Sequence, residues 1–130
     1  MKVVLDTNIL LVSISSKSKY HWLFQNLLHQ AFQMVITNEL LMEYEEIISR
    51  KYSIAAAKST IRTLLLLPNV IKSDVYFNWT LIKGDADDNK FVDCAIAANA
   101  DYIVTNDRHF DVLKEIDFPH KVILATQPKI

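Results

Sequence analysis

Asp6, Glu43, Asp88 and Asp107 are the side chains of this chain whose types and positions point most clearly to chemistry. Asp6 directly follows an apolar, β-branched run in VVLDTN, and Asp107 nearly follows another in YIVTNDRHF. Glu43 lies in NELLMEYEE and Asp88 in DADDNKF. Carboxylates gathered past strand ends are costly, because two of them about 4 Å apart repel by roughly 4 kcal/mol at an effective dielectric near 20. Without a cation, one of them would raise its pKa and keep a proton. A divalent ion resolves that conflict. Mg²⁺ takes hard oxygen ligands and favours sites completed by phosphate oxygens, and Mn²⁺ suits similar ligands. The chemistry implied is metal-assisted phosphodiester cleavage, with the ion polarising the phosphate and lowering the pKa of the attacking water.

Each acid also has an ordinary structural reading. Asp6 can cap a helix, with Thr7 and Asn8 capping or hydrogen-bonding beside it, and the TND before a helix at Asp107 is a capping sequence in itself. Thr105 can donate its hydroxyl to a neighbouring carboxylate or simply satisfy the strand end. Glu43 has Glu39, Glu45 and Glu46 nearby, as a solvated helix face would. Asp88 shares an acidic turn with Asp85 and Asp87. The joint order and spacing of the four acids carry more weight than any one of them.

The elements that must position these acids alternate along the chain. Strands are expected at 2–5, 34–36, 70–72, 102–104 and 121–124. Helical spacing of apolar residues runs from Lys19 to Phe32 and over about Glu39–Arg50. Thr37 or Asn38 can cap the second of these helices, and Ser53 can cap another that runs to about Leu66 before Pro68. A helix is expected to begin at Thr7–Val12, an Ala-rich helix over Asp88–Ala100 and a short one over 107–116. This alternation predicts an α/β fold with a parallel sheet covered by helices on both faces. In such sheets, sites form outside the carboxyl ends of strands at a switch in strand order. Asp6 and Asp107 fall at such ends, Glu43 in the first turns of the helix after the second strand, and Asp88 at the start of the Ala-rich helix.

With 130 residues and half of them hydrophobic, the expectation is one folded domain spanning residues 1–130. A net charge of −1 with no basic block argues against a protein that grips nucleic acid by bulk charge, but not against an enzyme meeting phosphates through a bound cation. The one cysteine, Cys94, cannot form an internal disulfide, so a reducing compartment is acceptable. The apolar N-terminus is interrupted by Asp6 and Asn8, and no apolar run reaches the roughly 20 residues that span a bilayer. The expected setting is cytoplasmic, with no membrane contact.

The stretches VLDTNIL, VITNELLMEYEEII and DADDNKFVDCAIAANADYIVTNDRHF resemble those of PIN domains, specifically the VapC-type toxin components. The resemblance implies a three-layer α/β/α sandwich around a parallel sheet of about five strands in the order 3-2-1-4-5. It implies a Mg²⁺- or Mn²⁺-dependent endoribonuclease acting on RNA, held in check by a small antitoxin, and a homodimer or higher homo-oligomer. The family's four acids map onto Asp6, Glu43, Asp88 and Asp107, as catalytic residues and metal ligands. Its supporting polar residues map onto Asn8 and Thr105. Glu39 is the fallback for Glu43, Asp87 is a neighbour able to replace Asp88, and Asp93 sits where relatives carry another acid. Five residues separate Asp93 from Asp88, about 140° around a helix, so a shared ion is geometrically doubtful.

Arg108, Lys17 and Lys19 are candidate RNA phosphate contacts. Leu64–Leu67 exceeds what one helix face can bury, so part of that run is a candidate subunit or partner contact. Two other functions compete with the nuclease. A phosphatase or phospho-acceptor receiver also gathers acids at strand ends, but there is no D-x-D at the first strand and no Lys at the end of the last. A non-catalytic interaction module would keep the fold, yet it has no need of all four acids.

Overall fold

The computed structural model describes residues 1–76, 78–80, 82, 86–105 and 121–124, with 86–88 and 121–124 described by backbone alone. Among the described residues there are five strands: β1 (Lys2–Leu5), β2 (Gln33–Ile36), β3 (Val70–Lys72), β4 (Tyr102–Thr105) and β5 (Lys121–Leu124). They form one sheet in the order β3-β2-β1-β4-β5, and every pairing is parallel. The strand order and parallel sense are those the resemblance implied.

Burial along the strands shows why two helical layers are needed. Val3, Val4 and Leu5 are buried in succession, as are Met34, Val35, Ile36 and Ile103, Val104, Thr105. A strand with one wet face would alternate instead. β3 lies at the sheet edge and is only partly covered. Four helices, α1 (Thr7–Ser13), α2 (His21–Leu28), α3 (Asn38–Lys51) and α4 (Ile54–Leu66), lie in the connections from β1 to β2 and β2 to β3. The fifth, α5 (Ala86–Ala98), lies between β3 and β4. The first two crossovers step one way along the sheet and the third steps back. Right-handed crossovers then put α1–α4 on one face and α5 on the other. The contacts agree: α1 packs on α2 and α3, α3 on α4, and α5 lies along β1, β2 and β4. The direction of progression reverses between β1 and β4, which opens the crevice at their carboxyl ends.

Helix starts follow the capping residues. The side chains of Asp6, Thr37 and Ser53 accept from the backbone N–H groups of Ile9, Leu40 and Ala56. Two helix ends differ from expectation. α2 stops at Leu28 rather than reaching Phe32, because Gln30 adopts a left-handed conformation at φ 60° and the Ala31 N–H turns back to the Asn26 carbonyl. That reversed closure terminates a helix wherever it forms, and glycine is its usual residue. α5 covers Ala86–Ala98, two residues earlier at each end than expected, and Asn99 at φ 51° closes it in the same way through Ala100 N–H to Ala95 O. α4 ends where Leu67 is extended, the conformation that the following Pro68 imposes. Of the leucine run, Leu64 is fully buried while Leu65 and Leu66 are exposed. The expected helix at 107–116 lies outside the described residues.

Candidate active site

Asp6 sits at the reversal point. Its N–H still belongs to the sheet, donating to the Val104 carbonyl of β4 at 3.1 Å, while its side chain already caps α1. Oδ1 accepts from the Ile9 N–H at 2.8 Å, and Oδ2 accepts from the Thr105 hydroxyl. With 5% of its surface exposed, this carboxylate is fixed by donors on both oxygens. Thr105 ends β4 and is fully buried, so the bond ties together the two strands that flank the crevice.

Thr7, the first residue of α1, carries the connection onward by donating its hydroxyl to Glu43 Oε2. Glu43 is on α3, and the next residue fixes that helix in place. Tyr44 is fully buried, and its hydroxyl donates to the Leu5 carbonyl at the end of β1 at 2.6 Å. The other Glu43 oxygen, Oε1, is 2.5 Å from the Lys90 ammonium on α5. The side chains of Glu43 and Lys90 are 16% and 14% exposed. A chain of polar contacts therefore runs from β4 through β1, α1 and α3 to α5.

Burial pushes the Tyr44 phenol well above its ordinary pKa, and the neighbouring Cys94, Asp6 and Glu43 push it further. The phenol thus stays neutral and remains a donor. Burial also pushes the Cys94 thiol up to about 12, which removes it as a nucleophile near neutral pH. Burial raises Asp93 too, against the opposing hydrogen bond from the Trp79 N–H at 3.0 Å. Asp93 anchors the chain after β3. Asn89 does the same, accepting from the Ile82 N–H and donating to the Ile82 carbonyl.

Two depressions open beside this network. One of about 790 Å³ is lined by Glu39, Met42, Glu43, Glu46, Arg50 and Lys90 among others. Another of about 290 Å³ is lined by Thr37, Asn38, Glu39, Ser73, Lys90 and Asp93 among others. Asp6 and Thr105 line neither, so the network is reached from these depressions through Glu43 and Lys90.

The structure brings Asp6, Thr105 and Glu43 into one network. Asn8 is exposed on the first turn of α1, and Glu39 is exposed on the first turn of α3. Asp87 and Asp88 lie in the first turn of α5, with side chains outside the described residues, as are Asp107 and Arg108 entirely. Lys17 and Lys19 are exposed on the loop after α1, where the Lys19 ammonium lies over the Tyr20 ring. Among the described residues, no three His, Cys, Asp or Glu side chains gather as a metal-holding group.

Sequence reasoning missed Lys90 and the tether role of Tyr44. One signal was available for the lysine: it is the only cation in the α5 sequence, between the buried Asn89 and Phe91.

A PIN-domain family model matches residues 2–109. The chain belongs to the PIN-domain family. No curated protein matches it at a significant level. Solved structures similar to this PIN domain include VapBC2 from Rickettsia felis bound to a DNA fragment from its promoter, with 20% identity and a TM-score of 0.63 over 95% of this chain and 98% of that one. DNA-bound VapBC from Salmonella typhimurium shares 17% identity at a TM-score of 0.62, over 96% and 98% of the two chains. FitAcB from Neisseria gonorrhoeae shares 14% at 0.59, over 95% and 97%. At these identities the likeness is one of fold. Among the described residues, no helix of this PIN domain is long and apolar enough to cross a membrane.

Proposed function

We propose that this PIN domain is a Mg²⁺- or Mn²⁺-dependent endoribonuclease, the toxin of a toxin–antitoxin pair acting in the cytoplasm. One observation carries the reading: the Asp6 carboxylate is buried at the β1/β4 reversal with both oxygens held by donors, and Thr7 links it to Glu43. PIN domains are generally nucleases.

The donors present suit a hard dication in kind, since Asp6 and Glu43 offer only carboxylate oxygens. The site already draws a cation inward, because the Lys90 ammonium rests on Glu43 at low exposure. Asp6, Glu43, Asp88 and Asp107 would hold one or two ions. When bound, the metal would supply Lewis-acid polarisation of the phosphate and a lowered pKa for the attacking water.

The chain's own residues orient the reacting groups. Thr105 and the Ile9 N–H fix the rotation of the Asp6 carboxylate, and Thr7 fixes Glu43. Such outer partners set ligand geometry and are costly to remove. Tyr44 holds α3 against the end of β1, so Glu43 and Asp6 keep their spacing. Asn8 supports the first acid, and Arg108, Lys17 and Lys19 contact RNA phosphates.

A small antitoxin is the partner proposed, in keeping with the VapBC complexes of similar fold. The exposed Leu65 and Leu66 of α4 would serve a homodimer or higher oligomer. The test is cleavage of RNA with Mg²⁺ or Mn²⁺ by the parent protein and by Asp6→Asn. Cleavage by the parent alone is expected. Equal activity in the two proteins rejects the site.

A further inference from the structure

Among the described residues, Lys90 is the one cation placed against the acids of the network, and the nuclease reading gives it no part in holding substrate. Its ammonium is 2.5 Å from Glu43 Oε1, while Glu43 Oε2 is taken by the Thr7 hydroxyl. An ammonium and a dication cannot share one carboxylate oxygen without strong mutual repulsion. We propose that Lys90 is the built-in counter-ion of the acid crevice. It holds Glu43 while no divalent ion is bound, and it moves to a non-bridging phosphate oxygen of the RNA when one enters. The inference rests on the metal-dependent nuclease reading.

The placement allows both positions. The Lys90 backbone is fixed, because its neighbours Asn89 and Phe91 are buried and Asn89 is doubly bonded to Ile82. The ammonium rides on a flexible four-carbon stem, so it can swing without moving α5. The side chain lines both depressions beside the network, and its sweep therefore covers the ground where a phosphate would approach Glu43. A lysine suits this role better than an arginine. It is a compact point charge that a dication can displace, whereas a guanidinium would grip Glu43 through two parallel bonds.

The role predicts opposite effects on metal and on substrate. Removing a positive charge about 5 Å from a dication relieves repulsion amounting to roughly a tenfold change in affinity even at the dielectric of water. The full chain is titrated with Mn²⁺ calorimetrically as parent, Lys90→Gln, Lys90→Arg and Asp6→Asn. KM for a labelled single-stranded RNA is then measured at saturating Mn²⁺. Lys90→Gln is expected to bind Mn²⁺ about tenfold more tightly and to show a KM several-fold higher. Lys90→Arg is expected to bind Mn²⁺ more weakly than the parent.

Unchanged or weaker Mn²⁺ binding in Lys90→Gln, the result for a purely structural ion pair, overturns the counter-ion role. Tighter binding with an unchanged KM overturns the transfer to phosphate. Lys90→Met, which keeps the stem, repeats both readings if the glutamine variant does not fold. Mn²⁺ binding that survives Asp6→Asn rejects the nuclease site itself. Binding lost in Asp6→Asn but not tightened in Lys90→Gln rejects the role of Lys90 alone.

Discussion

Thr105→Val separates the hydrogen-bonded network from the fold that carries it. The hydroxyl lost is fully buried and donates to Asp6 Oδ2, on a carboxylate only 5% exposed. A hydrogen bond to a charged group is worth about 1.5–3 kcal/mol. The added methyl returns about 0.8 kcal/mol of apolar burial. The net cost is then on the order of 1–2 kcal/mol. Unfolding entropy for 130 residues is about 0.27 kcal/mol/K, so Tm should fall by about 4–7 °C. With one donor gone, the Asp6 carboxylate can rotate about Oδ1, which the Ile9 N–H still holds. RNA cleavage should drop about 10–100-fold, the usual cost of removing the partner that orients a metal ligand. Thr105→Ser is the control: it keeps the donor, loses a methyl, and should retain most of the activity. Thermal melts in chelator and cleavage rates in Mn²⁺ are compared across the three proteins. A valine variant that cleaves as fast as the serine variant would refute the orienting role. One that melts with the parent would show that the bond adds nothing to stability.

Three further outcomes follow from the packing and the buried groups. Tyr44→Phe loses the bond to the Leu5 carbonyl and should cost about 1 kcal/mol in urea melts. Because the folded state keeps the Tyr44 proton that the unfolded chain releases near pH 10, this group's contribution is complete below about pH 10 and is lost as pH rises through the folded pKa. Melts above pH 10 should therefore fall less steeply for Tyr44→Phe, and equal slopes would contradict the raised phenol. Leu64→Ala should cost about 2–5 kcal/mol and Leu66→Ala less than about 0.5, since the first is 0% and the second 75% exposed; similar losses would show the run to be packed differently. Cys94, buried and with its thiol pushed up to about 12, should resist iodoacetamide in native buffer and react at the rate of unfolding in urea. Native-state alkylation as fast as that of an unstructured cysteine peptide would contradict its burial.

The chain alone carried the architecture. Apolar β-branched runs at Val3–Leu5, Val35–Ile36 and Ile103–Val104 mark strands buried on both faces. Thr37, Ser53 and Pro68 mark helix boundaries by local hydrogen bonding and sterics, which need no distant partner. The same local chemistry made Asp6 legible, because an acid between a strand and a helix must cap, ligate, or do both. Where a boundary depended on conformation rather than residue type, it was not legible. Gln30 ends α2 in a left-handed turn that glutamine does not advertise, whereas Asn99 at the end of α5 is a residue that tolerates it.

The tertiary structure decided which groups meet. Thr7 is 36 residues from Glu43, and Thr105 is 99 from Asp6. Such pairs depend on the strand order and on how far each helix is rotated against the sheet. The rotation of α3 is set by a buried phenol reaching the β1 carbonyl, so Glu43 rather than Glu39 turns toward Thr7. The position of Lys90 against Glu43 follows from α3 and α5 approaching each other from the two faces at one end of the sheet. Local patterns specify elements because short-range sterics and hydrogen bonds act within a few residues. Side-chain partners across a hundred residues are chosen only when the core closes and brings them together.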